Sequence, residues 1–164
     1  MFYAKSIEAS KIPFDMLYGP AYKGIPLVTS IVIAFASLGR NIPFAFNRKE
    51  KKDHGEGGVI IGTPLKGRVL IVDDVISAGT SVNESVNLIL EEGAKPSGIA
   101  ISIDREEKGT GLLSAVEEIK ETHHLPVCHL TSLQEIMRYI EHHETYASHI
   151  SAMRDYQKVY GIKA

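Results

Sequence analysis

Apolar residues along this chain fall into short runs typical of buried strands and longer segments with helical spacing. Residues 69–73 are mostly apolar and β-branched, and this short run predicts a buried strand that ends at a pair of acidic residues. Apolar positions then recur with the period of one helix face between 82 and 90, and we expect that helix to end at Gly93. This strand and helix form the segment around which the rest of the chain is organised.

Similar patterns predict the remaining elements. Further strands are expected at residues 14–18, 43–47, 59–61, 97–104 and 127–130. Helices are expected at residues 25–38, where the most apolar stretch predicts a buried helix, at 112–122, after a capping box at 132–135, and at 144–160. Helices that alternate with strands predict one α/β domain over residues 1–164, with a parallel or mixed twisted sheet covered on both faces.

Composition narrows the classes of function. The 164 residues are 44% hydrophobic and carry a formal net charge of -2, which allows a proper core and excludes a generally basic nucleic-acid binder. Cys128 is the single cysteine, so we expect a buried strand residue rather than a disulfide framework. Lys5 and Glu8 interrupt any signal peptide at the start, and residues 25–38 are too few to span a bilayer. These features predict a cytoplasmic protein with neither a nucleic-acid nor a membrane partner.

Histidines occur as adjacent pairs at 123–124 and at 142–143. Neighbouring residues do not share a helix face, and no acid, cysteine or histidine at metal-ligand spacing accompanies either pair. We therefore expect these histidines to be solvated rather than to bind a metal.

The turn between the central strand and its helix has the composition of an anion site. Residues 77–81 supply small side chains, a glycine and hydroxyls directly before a helix N-terminus, where unpaired N–H groups and the helix dipole attract phosphate. Asp73 and Asp74 come just before this turn and could accept hydrogen bonds from sugar hydroxyls. The arrangement predicts a site for a ribose 5-phosphate; the alternative is an ordinary strand–helix junction with solvated acids. Neither the Walker motif nor the dinucleotide fingerprint occurs.

Cations recur at other predicted strand ends. Lys23 follows the first strand and is either a solvated lysine or a second anion contact. Residues 48–58 begin with a cluster of cations and end in glycines, which predicts a mobile charged loop, either a solvated hairpin or a lid over an anion. Arg105 follows a later strand, where its guanidinium could bind a carboxylate or two carbonyl oxygens, or could form a surface salt bridge with Glu106 or Glu107.

Four stretches of the sequence resemble one enzyme family. VLIVDDVISAGTS at residues 69–81 resembles the phosphoribosyl pyrophosphate (PRPP) motif of type I phosphoribosyltransferases. YGPAYKGIP at 18–26, FNRKEKKDHGEGG at 46–58 and ISIDREEKG at 101–109 resemble orotate phosphoribosyltransferases, and the similarity runs through most of the chain. The basic loop is the stretch that distinguishes this family from the purine phosphoribosyltransferases.

The resemblance implies a fold and a reaction. The fold would be the α/β, type I phosphoribosyltransferase fold, with a mostly parallel sheet flanked by helices and a mobile β-hairpin catalytic loop. The reaction would convert orotate and PRPP to orotidine 5′-monophosphate and pyrophosphate in de novo pyrimidine (UMP) biosynthesis. Mg²⁺ would be the cofactor, held mainly through substrate and water rather than directly by the protein. The enzyme would be a homodimer in which the loop at 48–58 reaches the partner subunit's site.

The resemblance also implies roles for individual residues. Catalysis would depend on the loop residues Arg48, Lys49, Lys52 and His54, and orotate would contact Ser77 and Arg105. PRPP would be bound by Tyr22, Lys23, Arg48, Lys49, Lys52, His54, Asp73, Asp74, Val75, Ile76, Ser77, Ala78, Gly79, Thr80 and Ser81. In this family the loop that contains Tyr22 and Lys23 can carry a cis peptide bond at a non-proline residue.

The start of the chain adds one further expectation. Orotate phosphoribosyltransferases ordinarily have a segment before the helix that begins FYA, with a lysine and two aromatics that cover PRPP and orotate. Because this chain starts inside that helix, we expect an incomplete N-terminal hood. Two other functions stay open at this stage: a non-catalytic regulator that binds PRPP or a nucleotide on the same fold, and a purine phosphoribosyltransferase.

Overall fold

Strands and helices alternate along the chain to build a single six-stranded sheet. The computed structural model describes residues 1–52 and 58–162, with the backbone alone at 50–52. The elements are α1 (Phe2–Ser10), β1 (Met16–Gly19), α2 (Gly24–Ser37), β2 (Phe44–Lys52), β3 (Gly58–Gly62), β4 (Arg68–Val72), α3 (Thr80–Glu91), β5 (Lys95–Asp104), α4 (Ala115–His123), β6 (Val127–Ser132), α5 (Leu133–Glu141), a 3₁₀ helix (Glu144–His149) and α6 (Ile150–Tyr160).

The sheet has the strand order β3-β2-β1-β4-β5-β6. Strands β1, β2, β4, β5 and β6 are mutually parallel, and β3 pairs with β2 in the antiparallel direction. The strand order reverses between β1 and β4. In open α/β sheets a crevice forms at such a reversal, outside the carboxyl ends of the strands. The loops that follow β1 and β4 therefore border the expected ligand site.

Two hydrophobic layers cover the sheet. Val69 and Ile71 of β4 pack into the layer that contains α3 and α4, whereas Leu70 and Val72 pack into the layer that contains α1 and α2. A strand with both faces covered needs apolar residues at successive positions, which explains the uninterrupted apolar run in β4. The predicted mixed sheet with helices on both faces is confirmed.

The predicted boundary between the strand expected at 43–47 and the charged loop at 48–58 was wrong, whereas the hairpin expected there is present as the antiparallel pair of β2 and β3. Strand β2 continues to Lys52 and pairs with β3, with Asn47 opposite Ile60 and Lys52 opposite Gly58. The register shifts between these two pairs, and the strand runs through residues 48–52, which have no apolar residue and which the hydrophobic pattern therefore could not assign to a strand. Residues 53–57, which include His54, lie outside the described residues.

Several element boundaries also differ from the prediction. Helix α2 was expected to be buried but covers only one face, since Ile33 on its outer side is 62% exposed. Helix α4 begins at Ala115 because Ser114 caps it with a complete capping box. The predicted closing helix starts as a 3₁₀ helix before α6. Cys128 lies in β6 as predicted but is half-buried rather than buried. Within 1–52 and 58–162, no helix combines the length and apolar character that crossing a membrane requires.

Candidate active site

The loop after β1 is held close to the sheet by its backbone. A Cβ atom on Gly19 would lie 2.2 Å from the Gly24 carbonyl oxygen, so this approach requires glycine. Between the two glycines the peptide bond from Ala21 to Tyr22 is cis. The Ala21 N–H donates a hydrogen bond of 2.7 Å to Asn47 Oδ1 on β2. Asn47 thereby fixes the position of the loop that carries Tyr22.

The acid directly after β4 is buried. Asp73 is 8% exposed, and its carboxylate accepts hydrogen bonds from the Asp74 N–H at 2.9 Å and from Ser81 Oγ at 3.1 Å. Burial raises the pKa of Asp73, and these hydrogen bonds oppose the rise only in part. The Ser81 contact joins the acid to the first turn of α3.

The second acid is paired with a lysine from the loop after β1. Lys23 Nζ lies 2.6 Å from Asp74 Oδ2. Burial favours the protonated form of Asp74, but the hydrogen bond and charge of Lys23 outweigh it and lower the pKa of this carboxyl. The same hydrogen bond raises the pKa of Lys23, so both groups remain charged.

Two hydroxyl groups position the backbone of the acid pair. Tyr3 Oη of α1 donates to the Asp73 carbonyl at 2.7 Å, and Ser102 Oγ of β5 donates to the Asp74 carbonyl at 2.6 Å. Burial raises the pKa of Tyr3 to about 12, so its hydroxyl stays protonated and remains a donor. Tyr3, Ser102 and Asn47 are not among the predicted site residues, because nothing in their local sequence indicates contacts to the site.

The turn before α3 encloses a small cavity. Residues 75–82 line a volume of about 230 Å³. Gly79 adopts the left-handed conformation with φ of 73° directly before α3, and the N–H groups of the first helical turn lack partners within the helix. The cavity thus combines a helix N-terminus with the small side chains that the sequence analysis predicted for a phosphate cradle.

Two cations of β2 lie near the loop that follows β1. Lys49 Nζ sits 5.2 Å from the centre of the Tyr22 ring, within the range of a cation–π interaction. Arg48 and Lys49 also line a cleft of about 520 Å³ between β2 and α3. The structure describes only the backbone of Lys52, and His54 lies outside the described residues.

Arg105 follows β5 and forms an ion pair. Its Nη2 lies 2.8 Å from Glu107 Oε2, so the salt bridge that the sequence analysis raised as an alternative is present. The Tyr156 hydroxyl of α6 donates to the other carboxylate oxygen of Glu107. Among the described residues, Arg105 Nε is buried and has no hydrogen-bond partner.

Part of the predicted site is brought together by direct contacts. Lys23, both acids and Ser81 form one connected group, and Tyr22 contacts Lys49. Ser77 lies in the small cavity, whereas no hydrogen bond or ion pair of the described part of the chain joins it to Arg105.

One histidine of each adjacent pair contacts another protein group. His123 Nε2 is 2.5 Å from Asn83 Oδ1, and His143 Nδ1 is 2.7 Å from the Tyr139 carbonyl. Across residues 1–52 and 58–162, no group of three or more histidine, cysteine or acidic side chains is arranged to hold a metal ion.

Comparison with known proteins gives one consistent result. Residues 1–121 match the phosphoribosyl transferase domain family. The chain is 56% identical over 161 residues to an orotate phosphoribosyltransferase from Chromobacterium violaceum, covering 98% of this chain and 75% of that protein. It is 57% identical over 162 residues to that of Nitrosospira multiformis, covering 99% and 71%. The crystal structure of the Francisella tularensis enzyme superimposes with a TM-score of 0.82 at 37% identity, over 98% of this chain and 77% of that one.

Proposed function

This chain belongs to the phosphoribosyltransferase family, as an orotate phosphoribosyltransferase, and from that premise we propose which of its residues carry out each part of the reaction. The reaction joins orotate to the ribose 5-phosphate of PRPP and releases pyrophosphate. The observation that carries the proposal is the contact between the loops after β1 and β4, made by Lys23 and Asp74 at the reversal of strand order.

We assign the ribose 5-phosphate half of PRPP to the β4–α3 turn. The cavity lined by residues 75–82 receives the 5-phosphate at the N-terminus of α3. Asp73 and Asp74 accept hydrogen bonds from the ribose 2′- and 3′-hydroxyls. The ion pair with Lys23 supports this role, because it keeps Asp74 ionised and able to accept.

We assign the pyrophosphate half to the cations around the β1 loop. Charge accumulates on the leaving group as the bond from C1 of the ribose breaks, so cations that meet it there stabilise the transition state more than the ground state. Lys23 and Tyr22 supply one side of this site, and Arg48 and Lys49 of β2 supply the other. The resemblance to the family adds Lys52 and His54 to this pyrophosphate site.

The orotate side depends on Arg105 and Ser77. The nitrogen N1 of orotate attacks C1 of the ribose while the bond to pyrophosphate breaks. The electron pair of that bond leaves with pyrophosphate, and the proton of N1 is released to solvent or to a pyrophosphate oxygen. A guanidinium can donate two parallel hydrogen bonds to a carboxylate or to a pair of carbonyl oxygens, which would orient the flat base for attack. The guanidinium supports this assignment, because its Nη2 is paired with Glu107 while its Nη1 makes no hydrogen bond among the described residues and can still donate to a ligand.

Mg²⁺ is proposed as the cofactor. The site fits an ion held mainly through substrate and water, because Asp73 and Asp74 place carboxylate oxygens beside the proposed ribose site, where they can accept hydrogen bonds from substrate hydroxyls and bound water. When bound, the ion would offset negative charge on the pyrophosphate oxygens. Asp74 would then exchange its ion pair with Lys23 for contacts to substrate hydroxyls.

A homodimer with a shared site is also proposed, in which the loop at 48–58 reaches the partner subunit: Arg48 and Lys49 serve the site of their own chain, whereas Lys52 and His54 act on the partner subunit's PRPP. Mixing Lys52→Ala chains with chains that carry both Asp73→Ala and Asp74→Ala should restore activity, because one site of the heterodimer then has intact acids and an intact loop. A heterodimer shown to form by tagged co-purification, yet inactive, would indicate that the loop acts within its own subunit.

The cytoplasmic location of the protein stays a prediction, which cell fractionation would test.

The activity of this chain is tested by orotate consumption with Mg²⁺ and PRPP. We expect orotate-dependent release of pyrophosphate, and its loss when Asp73 and Asp74 are both replaced by alanine. Turnover with hypoxanthine or adenine but not with orotate would instead support a purine phosphoribosyltransferase. Binding of PRPP without release of pyrophosphate for any base would support a regulator.

A further inference from the structure

We propose that Glu107 and Tyr156 are positioning residues for base recognition, which hold the guanidinium of Arg105 in the plane that orotate requires. The inference rests on the proposed role of Arg105. The contacts form a chain: Arg105 Nη2 donates to Glu107 Oε2 at 2.8 Å, and the Tyr156 hydroxyl donates to Glu107 Oε1. Each carboxylate oxygen of Glu107 therefore has its own donor.

The turn after β5 brings the side chains of Arg105 and Glu107 together. The Glu106 N–H donates to Asp104 Oδ1 at 2.9 Å, and Glu106 has a φ of 53°, in the left-handed region. This tight turn allows the side chains of Arg105 and Glu107 to meet although they are two positions apart. The side chain of Glu107 is 16% exposed and that of Arg105 is 34% exposed, so water screens this ion pair less than it screens more exposed pairs such as Lys158 with Asp155.

The C-terminal helix holds the same segment through its backbone. The Lys108 N–H donates to the Tyr160 carbonyl at 2.8 Å, and Glu107 forms an antiparallel bridge with Gly161. Tyr156 lies one turn before Tyr160, and the two rings are 4.8 Å apart. Helix α6 thus reaches the base-side arginine by a fixed backbone contact and by one hydroxyl group.

A fixed guanidinium plane matters for a flat ligand. Arginine is a long, flexible side chain, and two parallel hydrogen bonds form only when its plane matches that of the acceptor atoms. Glu107 holds Nη2 of the guanidinium, and Nη1, which makes no hydrogen bond among the described residues, stays open to the ligand. The Tyr156 hydroxyl fixes the carboxylate in turn, so that the three groups act as one unit.

The test is a Tyr156→Phe variant with steady-state kinetics for both substrates. We expect the KM for orotate to rise about tenfold, the size of losing one hydrogen bond to a charged group, while the KM for PRPP stays unchanged. Tyr160→Phe is the matched control, because it removes a hydroxyl from the same helix for which the described residues offer no partner. Equal melting temperatures for the two variants would exclude a general loss of folding.

A second variant tests the carboxylate. Glu107→Gln keeps an oxygen that can accept from Tyr156 but removes the charge that holds Arg105, so its KM for orotate should also rise. A lower KM for orotate in Glu107→Gln would mean that Glu107 competes with orotate for the guanidinium, and it would overturn the proposal.

The arginine itself separates failure of this inference from failure of the proposed function. If Arg105→Ala leaves the KM for orotate unchanged, the proposed role of Arg105 is wrong. If Arg105→Ala raises it, Tyr156→Phe should have no further effect in the Arg105→Ala background, because the tyrosine acts through the arginine. An equal effect of Tyr156→Phe in both backgrounds, or none in either, would overturn the positioning role alone.

Discussion

Lys23 Nζ and Asp74 Oδ2 lie 2.6 Å apart and join the loop after β1 to the loop after β4. The lysine side chain is 72% exposed and the aspartate 32% exposed, so the pair contributes little to stability. Its consequence is local, since it places a cation between the proposed ribose and pyrophosphate sites and keeps Asp74 ionised.

Replacing Lys23 by glutamine should weaken PRPP binding without unfolding the protein. We expect the KM for PRPP to rise about tenfold or more, because a charge-assisted contact to pyrophosphate is lost. The pKa of Asp74 should rise, since Lys23 lowers it in the wild type. Carbon-13 NMR titration of the carboxyl groups measures that pKa. Lys66→Gln is the control, because Lys66 is exposed just before β4, at the opposite edge of the sheet. An equal rise of the KM for PRPP in Lys66→Gln would contradict a specific contact of Lys23 with PRPP.

Replacing Asp73 by asparagine should stabilise the free protein while it reduces activity. The buried carboxylate has a raised pKa in the folded state, so its ionised form costs stability at neutral pH. Asparagine can keep the contacts with Ser81 and the Asp74 N–H without that charge. We expect a higher free energy of unfolding in urea at pH 8, and activity at least tenfold lower because a ribose-binding charge is lost.

The stabilisation expected from Asp73→Asn should depend on pH. The raised folded pKa of Asp73 penalises the wild type fully above that pKa, and the penalty shrinks as the pH falls toward the unfolded value of about 3.9. The stability advantage of Asp73→Asn should therefore be largest at pH 8 and smaller near pH 4. An advantage that grows in acid would contradict a raised pKa at this site.

Local patterns in the sequence predicted the central part of the site. The apolar run of β4, the acids that follow it and the glycine-containing turn before α3 are neighbours in sequence and in space, so their composition alone indicated a cradle. Lys23 was placed correctly because the carboxyl ends of neighbouring parallel strands meet at one edge of the sheet.

Residues that support the site from distant elements escaped prediction. Tyr3 contacts the backbone of a residue 70 positions away, and Tyr156 contacts a side chain 49 positions away. Such contacts depend on how helices pack on the sheet, which hydrophobic periodicity does not specify. The extension of β2 to Lys52 was missed because residues 48–52 contain no apolar residue, whereas strand prediction from the sequence relies on apolar and β-branched residues.

Replacing Tyr3 by phenylalanine should disturb the acid pair from the face of the sheet that α1 covers. The variant removes the 2.7 Å hydrogen bond to the Asp73 carbonyl but keeps the ring in its packing. We expect the KM for PRPP to rise about fivefold and the KM for orotate to stay unchanged, as for the loss of one neutral hydrogen bond. Tyr146→Phe, at an exposed tyrosine of the 3₁₀ helix, is the control, and an equal change in both variants would refute the specific contact.

Replacing Gly79 by alanine should reduce PRPP binding in addition to stability. Gly79 and Gly93 both have positive φ, 73° and 75°, so alanine at either position should cost about 1–2 kcal/mol in unfolding free energy. At Gly93 the new Cβ would meet nothing within 4 Å, whereas at Gly79 it would lie 2.9 Å from Ile119 Cδ1 and would displace the turn that lines the proposed phosphate cavity. Urea denaturation should therefore show a loss for both variants, larger for Gly79→Ala, and calorimetric titration with PRPP should show weaker binding only for Gly79→Ala. Equal affinity in the two variants would mean that this turn does not hold the 5-phosphate.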